Sequence, residues 1–276
     1  KIHIPVFLHN LSGYDAHLIM QAVGKAKGKI TCIPDNMEKY KSFSIDNLRF
    51  IDSFQFMQTG LDKLVKATAP DDFNITKEYE PDVEKQKLLL RKGVYPYEHI
   101  DGWDKFEETS LPTIDEFYSS LTEDGITTED YEHGQKVWDT FECKNMGDYH
   151  DLYLKTDVML LADVFENFRN KCLETYKLDP ANYYTAPGLA WDALLKKTGV
   201  KLELISDYDM YLMVEKGKRG GISMVSKRYA KANNPMVEGY DPNKPTTYIH
   251  NLDANNLYGY AMSQCLPTGG FEFMDP

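Results

Sequence analysis

The stretch "FLHNLSGYDAHLIM", residues 7–20, sets how the chain is read. The apolar run Ile2–Leu8 ahead of it has the make-up of a strand, and His-Asn-Leu-Ser-Gly is turn chemistry. Ala16–Val23 then reads as a helix. Asp15, at the join, admits two readings. It is the N-cap of that helix, accepting backbone N–H groups, or it is a carboxylate whose partners lie elsewhere in the chain.

The chain has 276 residues, enough for one large domain or two ordinary ones. With 42% hydrophobic residues and charges spread rather than blocked, it reads as a soluble globular protein. No apolar run approaches the roughly 20 residues that span a bilayer. Lys1-Ile-His-Ile-Pro lacks the apolar core of a signal peptide. The sequence begins without Met, inside a strand-like run, and stops at Pro276 shortly after another apolar segment, so both ends are expected to be cut. The cysteines Cys32, Cys143, Cys172 and Cys265 are widely spaced, which gives no zinc signature and suggests reduced thiols. The net charge of −12 argues against bulk electrostatic binding of nucleic acid. Residues 216–231, "KGKRGGISMVSKRYAK", nevertheless carry six basic residues and no acid. A basic strip on an acidic body fits a local grip on a polyanion with carboxylate-held metals elsewhere, or a solvated loop.

Further strands are expected at Ile30–Ile33, Ser42–Ile45 and Leu48–Ser53, the last two forming a hairpin about Asp46-Asn47. Leu61–Ala67 reads as a short helix, and Pro70–Pro112 as a long irregular insertion. Helices are expected at Thr113–Leu121, opened by a Thr113/Glu116 capping box, and at Thr128–Thr140. The strongest helical signal is Asp148–Tyr176, with Leu154, Val158, Leu161, Val164, Phe165, Phe168 and Cys172 as its apolar stripe. Pro187–Thr198 is another helix, and Tyr248–Met262 reads as strand, turn and helix.

Two more segments can carry chemistry. In "YHDLYLKTDVMLLADVF", Tyr153 and Asp157 are four apart on a helix and share a face that overlaps the apolar stripe. A carboxylate there is costly unless paired or metal-bound. In "IHNLDANNLYGYAM", a strand end would deliver Asp253 into an Asn-Asn turn, which suits either an Asx-turn or a Mg²⁺ ligand. Tyr258 would then wall a small-molecule pocket.

Taken together these segments resemble family-B DNA polymerases, specifically the protein-primed branch of viruses and self-synthesising mobile elements. "HNLSGYD" is similar to the second motif of the proofreading exonuclease, matching Asn10, Tyr14 and Asp15. "YLKTD" is similar to the third, Tyr-x-x-x-Asp, matching Tyr153 and Asp157. "RKGVYPY" resembles the Lys-x-x-hydrophobic motif, matching Lys92 and Tyr95. "KRGGISMV" resembles the Tyr-x-Gly-Gly motif, with Lys218 in place of Tyr and Arg219, Gly220 and Gly221 matching. "LDANNLYGYAM" resembles polymerase motif A. Asp253, Leu257 and Tyr258 match, while Asn256 and Gly259 depart from the usual Ser and Pro. At the Ser-Leu pair that contacts single strands, Leu61 carries over and Gly60 replaces Ser. The motifs run in family order over nearly all of the chain. The first exonuclease motif would lie before Lys1 and motifs B and C beyond Pro276, so the resemblance implies an internal fragment.

The resemblance implies an α/β fold: a ribonuclease-H-like exonuclease domain, a mixed sheet flanked by helices, followed by the start of a polymerase palm. Its implied boundaries are 1–180 for the partial exonuclease, 181–235 for a linker with the basic Gly-Gly segment, and 236–276 for the palm. It implies two Mg²⁺ or Mn²⁺ ions per active site, held by Asp15 and Asp157 in one and by Asp253 in the other. Tyr153 would orient the attacking water and Lys92 offset developing charge. Asn10, Tyr14 and Leu61 would hold a single-stranded 3′ end. Arg219, Lys227 and Arg228 would contact template phosphates where Gly220 and Gly221 let backbone approach the strand. Tyr258, with Asn256 and Leu257, would bind the incoming dNTP. Implied partners are primer-template DNA and a terminal protein, with no membrane; an intracellular, nuclear or viral replication site fits, and the sequence does not choose among them. The fragment alone is expected to be inactive. Two other readings stay open: a stand-alone exonuclease of this fold, and a non-catalytic relic that binds single strands through the 216–231 strip.

Overall fold

The computed structural model describes residues 2–25 and 28–274. The chain forms two compact units, Lys1–Lys197 and Thr198–Pro276.

The first unit is built on a four-stranded mixed sheet in the order β1-β4-β3-β2. Its strands are β1 (Ile4–Leu8), β2 (Ile30–Pro34), β3 (Tyr40–Ile45) and β4 (Leu48–Asp52). β1 runs parallel to β4, and the other pairs are antiparallel. The β3–β4 hairpin turns at Asp46-Asn47, as its sequence predicts, with Ile45 paired to Leu48. Asp46 takes the left-handed conformation (φ 56°), which Asp tolerates at a tight turn. Strand alternation sends Phe43 and Phe50 to one face, where their rings stack 4.6 Å apart. There they meet Leu11, Ala16, Ile19 and Met20 of the β1–α1 segment, α1 being Asp15–Val23. From the other face Phe7 meets Phe165 of the long helix α6 (Met146–Tyr176), ring centroids 4.1 Å apart. The sheet is therefore covered on both sides, by α1 and by α6.

α6 runs for 31 residues, about 46 Å. Its C-terminal half buries Leu160, Val164, Phe165 and Cys172, as the apolar stripe requires. The N-terminal half departs from it: Leu154 is 52% exposed and Val158 60%. The buried face there is Met146, Tyr149 and Thr156. Tyr149 buries its ring because its hydroxyl donates to the Val94 carbonyl (2.7 Å), and Thr156 because its hydroxyl donates to the Leu152 carbonyl (2.8 Å). Polar residues with satisfied hydroxyls thus take core positions that a hydrophobic pattern assigns to their neighbours.

The 70–112 insertion is more ordered than its composition suggests. α2 (Leu61–Ala67) precedes it, and it contains α3 (Asn74–Tyr79) and α4 (Val83–Leu89). Helices of six and seven residues are marginal on their own and depend on tertiary anchors. The anchor of α3 is Asp163 on α6, which is buried and accepts the Ile75 and Thr76 N–H groups (2.7 and 2.9 Å) and the Thr76 hydroxyl (2.7 Å). Val65 and Phe73 complete that contact against Leu160 and Val164. α4 is capped by Asp82 and packs Leu88 on Val137, Met146 and Tyr149. The helix expected over Thr113–Leu121 shrinks to a 3₁₀ turn, Ile114–Phe117, although its Thr113/Glu116 capping box forms. Beyond it Ser120 is drawn off by Glu98, which accepts its N–H (2.6 Å) and hydroxyl (2.9 Å). α5 (Thr128–Thr140) and α7 (Ala186–Thr198) lie where the sequence places them.

The second unit contains α8 (Tyr208–Gly217) and α9 (Leu257–Ser263). Its ordering centre is Asn233, whose amide nitrogen donates to the Asp241 and Pro245 carbonyls (3.0 and 3.1 Å), next to the buried Asn234. The strand expected ahead of Asp253 does not form. Strands need a ladder, and the only pairing touching this region among the described residues is the single bridge Asn233–Thr247.

Asp163→Ala leaves three donors of α3 unsatisfied in the core. It is expected to cost about 2–4 kcal/mol by urea denaturation; a loss below about 1 kcal/mol would show that Asp163 is not the anchor.

Candidate active site

The β1–α1 connection is organised from beneath by Asp52, at the end of β4 and fully buried. Its carboxylate accepts the N–H groups of Asn10 (2.9 Å), Ser12 (3.0 Å) and Phe54 (3.0 Å), and the Ser12 hydroxyl (2.9 Å). His9 adds a tie, one ring nitrogen on the Ser53 hydroxyl (3.0 Å) and the other on the Thr59 carbonyl (2.9 Å). Asn10 is held in the left-handed region (φ 66°), and its side chain folds over Gly13. A Cβ on Gly13 would come within 2.5 Å of the Asn10 side-chain oxygen, so any other residue there would push the Asn10 side chain aside. Asp15 is not the N-cap. Tyr14 holds that position, without a side-chain cap bond, and Asp15 is the first helical residue. Its half-exposed carboxylate stands at the positive end of α1. Tyr14 is exposed beside it.

The second group is on α6. Asp157 lies below Tyr153, and one of its carboxylate oxygens is buried with no hydrogen-bond partner. Burial pushes the Asp157 carboxyl above the usual carboxylate range, while Lys92 and the Tyr153 hydroxyl oppose the shift. Burial also pushes the Tyr153 phenol well up, with the Tyr97 hydroxyl bond and the Asp157 charge adding to it, so Tyr153 stays protonated. Tyr153 is held in an aromatic nest: its ring stacks on Tyr95 (centroids 4.8 Å) and its hydroxyl bonds that of Tyr97. Gly93 makes room for the ring; a Cβ there would sit 2.9 Å from Tyr153 Cδ2. These residues face a groove of about 710 Å³ whose lining mixes both charges, Lys66, Arg91 and Lys92 with Asp62, Glu98, Asp124 and Asp130, around Tyr95, Tyr97 and Tyr153. Arg91 is tied to Asp130 of α5. Behind it His133 holds a buried, unpartnered Nε2, and burial with the nearby Arg91 charge lowers its pKa to about 4.

The fold thus brings Lys92, Tyr153 and Asp157 together. Asn10, Tyr14 and Asp15 are neighbours on the β1–α1 connection. Among the described residues no group of three or more His, Cys, Asp or Glu side chains is placed to hold a metal ion. Leu61 opens α2 and packs, partly buried, against the Val65–Leu160 cluster. In the second unit Asp253 is exposed, and Asn256 adopts the left-handed conformation as N-cap of α9 (φ 52°). Leu257 and Tyr258 follow it on the first turn, Tyr258 86% exposed. Arg219, Gly220, Gly221, Lys227 and Arg228 lie on an exposed stretch beyond α8. Nothing lies within 4 Å of where a Cβ would sit on Gly220 or Gly221, so their own fold does not require glycine.

Sequence reasoning passed over Asp52, Tyr97 and His150. Asp52 had a signal, a carboxylate closing an apolar strand. Tyr97 and His150 had none, because their contacts with Tyr153 and Tyr95 depend on how the insertion folds onto α6.

The raised carboxyl of Asp157 has a consequence for stability. The unfolded chain loses this proton at the ordinary carboxylate pKa of about 4, and the folded chain only at higher pH. Stability is therefore lost as pH rises through that window. In chelator, Asp157→Asn is expected to raise the melting temperature, with a gain that grows from about pH 4 towards neutrality. A gain that does not change with pH would contradict this burial.

No curated protein and no solved structure matches the chain. The sequence profile of one family, described as DNA polymerase type B, organellar and viral, matches residues 3–275. DNA and deoxynucleoside triphosphates are the substrates such an enzyme implies, and the mixed sheet between α1 and α6 agrees with the ribonuclease-H-like fold expected of its exonuclease domain. With the match running over almost the whole chain, the protein belongs to the organellar and viral family-B DNA polymerases.

Proposed function

We propose that the first unit is the 3′–5′ proofreading exonuclease of this polymerase, and that Asp253 and Tyr258 belong to its nucleotidyl-transfer site. The observation that carries the reading is Asp157: a carboxylate oxygen buried without a partner, beside a lysine and a protonated tyrosine. An uncompensated buried carboxylate is costly unless a cation joins it. A hard oxygen donor of this kind suits Mg²⁺ or Mn²⁺, and Asp15, half-exposed on the first turn of α1, offers a second. Two such ions, when bound, activate water and stabilise the attacking and leaving oxygens of a phosphodiester.

The chain's own residues supply the rest. Tyr153, kept protonated and fixed by Tyr95 and Tyr97, can donate a hydrogen bond that positions the attacking water. Lys92, close enough to Asp157 to act on its charge, offsets negative charge as the phosphate is attacked. The exposed Tyr14 and the Asn10 turn, held by Asp52, would receive the last bases of a frayed strand, one by stacking and the other by hydrogen bonding. Leu61 would support that strand through α2. In the second unit Asp253 would hold the metal pair of polymerisation, and Tyr258, with Asn256 and Leu257, would pack against the sugar of the dNTP. Arg219, Lys227 and Arg228 would meet template phosphates on their exposed segment. The likeness of the motifs to the protein-primed branch supports a terminal protein as primer.

The test uses the polymerase expressed from its whole reading frame and a 5′-labelled single-stranded oligonucleotide with Mg²⁺ or Mn²⁺. Trimming from the 3′ end is expected, with Asp157→Ala and Asp15→Ala each lowering it at least a hundredfold, about 2.7 kcal/mol. Tyr153→Phe should lower it less. Salt-dependent binding without trimming would overturn the exonuclease reading in favour of a single-strand-binding protein.

A further inference from the structure

A second groove, of about 810 Å³, lies between the 3₁₀ turn Trp103–Glu107 and the start of α6. Its chemistry differs from that of the groove beside Tyr153. Asp101, Glu107, Asp148 and Asp151 line it, and no lysine or arginine does. Among the described residues the side chains of Asp101 and Glu107 form no hydrogen bond or ion pair, and Asp101 lies within electrostatic reach of Lys105. Asp148 is half used, accepting the Lys144 N–H (2.9 Å), and Asp151 faces Lys155 only across a solvent-exposed 3.9 Å pair. Lys105, on the same turn, is turned onto Glu108 (3.1 Å).

On the groove's floor and rim are aromatic rings. Trp103 is 87% exposed, which leaves a large apolar face in water. Its ring lies 5.8 Å from Phe106, Phe106 lies 4.9 Å from His150, and His150 is bonded to the Tyr95 hydroxyl (2.6 Å). Trp103 is thus the solvent-facing end of a row of rings, with most of its indole accessible.

An exposed ring could stack on a nucleic-acid base or receive a cation. The surrounding charge chooses between them. A strand stacked on Trp103 would bring its phosphates against four carboxylates. A cationic side chain would gain from the indole face and from the carboxylates together. We propose that this groove docks a basic peptide segment of a partner protein, with an arginine or lysine seated over Trp103. This site is separate in chemistry from the exonuclease reading and does not depend on it.

The test is fluorescence anisotropy of a labelled tetra-arginine peptide with the polymerase, beside a labelled oligothymidylate of similar length. The peptide is expected to bind in the range of about 10–100 μM and to weaken as salt rises. Trp103→Ala and the pair Asp101→Asn/Glu107→Gln should each weaken it at least tenfold, while oligonucleotide binding is unchanged. Trp103 is exposed, so its loss should leave the circular dichroism intact; should it not, the reversal Asp101→Lys/Glu107→Lys carries the same test. Peptide binding weaker than about 1 mM, peptide binding indifferent to all three variants, or loss of oligonucleotide binding with Trp103→Ala would each overturn the proposal.

Discussion

The first unit depends on one buried carboxylate, that of Asp163. It sits halfway along α6, where a charge is tolerated only because three donors from the start of α3 converge on it. That contact turns an irregular-looking insertion into a wall. Two residues further on, Phe165 lies on Phe7 of the sheet, so the same stretch of α6 ties insertion and sheet together. Asp157 and Tyr153 are about two and three turns up the same rigid rod. Lys92 is delivered beside them just after α4, which packs Leu88 on Met146 and Tyr149 of the same helix.

Two other carboxylates divide the work differently. Asp52 is buried and fully hydrogen-bonded, so it fixes the Asn10–Asp15 turn and has no capacity to spare. Asp157 is partly buried and short of a partner. The contrast separates a structural carboxylate from a candidate ligand. Neither charge nor burial alone would do so, since both are buried acids at element ends or faces.

Much of this was legible in the sequence, for physical reasons that can be named. Period-two alternation and the Asp46-Asn47 turn revealed the β3–β4 hairpin. The motif spacings placed Tyr153 and Asp157 on one helix face, and Lys92 was tied to them by resemblance. What could not be read is where local pattern yields to tertiary contact. Leu154 and Val158 are exposed because Tyr149 and Thr156 take the core positions with their hydroxyls satisfied. α3 and α4 are too short to announce themselves: α3 exists through Asp163, and α4 through its Asp82 cap and Leu88 packed on Val137, Met146 and Tyr149. Of the two readings of Asp15, the cap is ruled out: Tyr14 holds that place, and the carboxylate stands on the first turn. The strand before Asp253 has the right residues but no ladder to join.

Asp15 and Asp157, on different helices, are proposed to serve one metal site. The most direct measurement is Mn²⁺ binding by electron paramagnetic resonance, made on the polymerase in an Asp253→Asn background to remove the other site. Asp15→Asn and Asp157→Asn should each weaken the same binding event at least tenfold, about 1.4 kcal/mol, and the double variant should be no worse than the weaker single. An Asp15→Asn variant that binds Mn²⁺ like its parent, with Asp157→Asn alone impaired, would contradict a shared site.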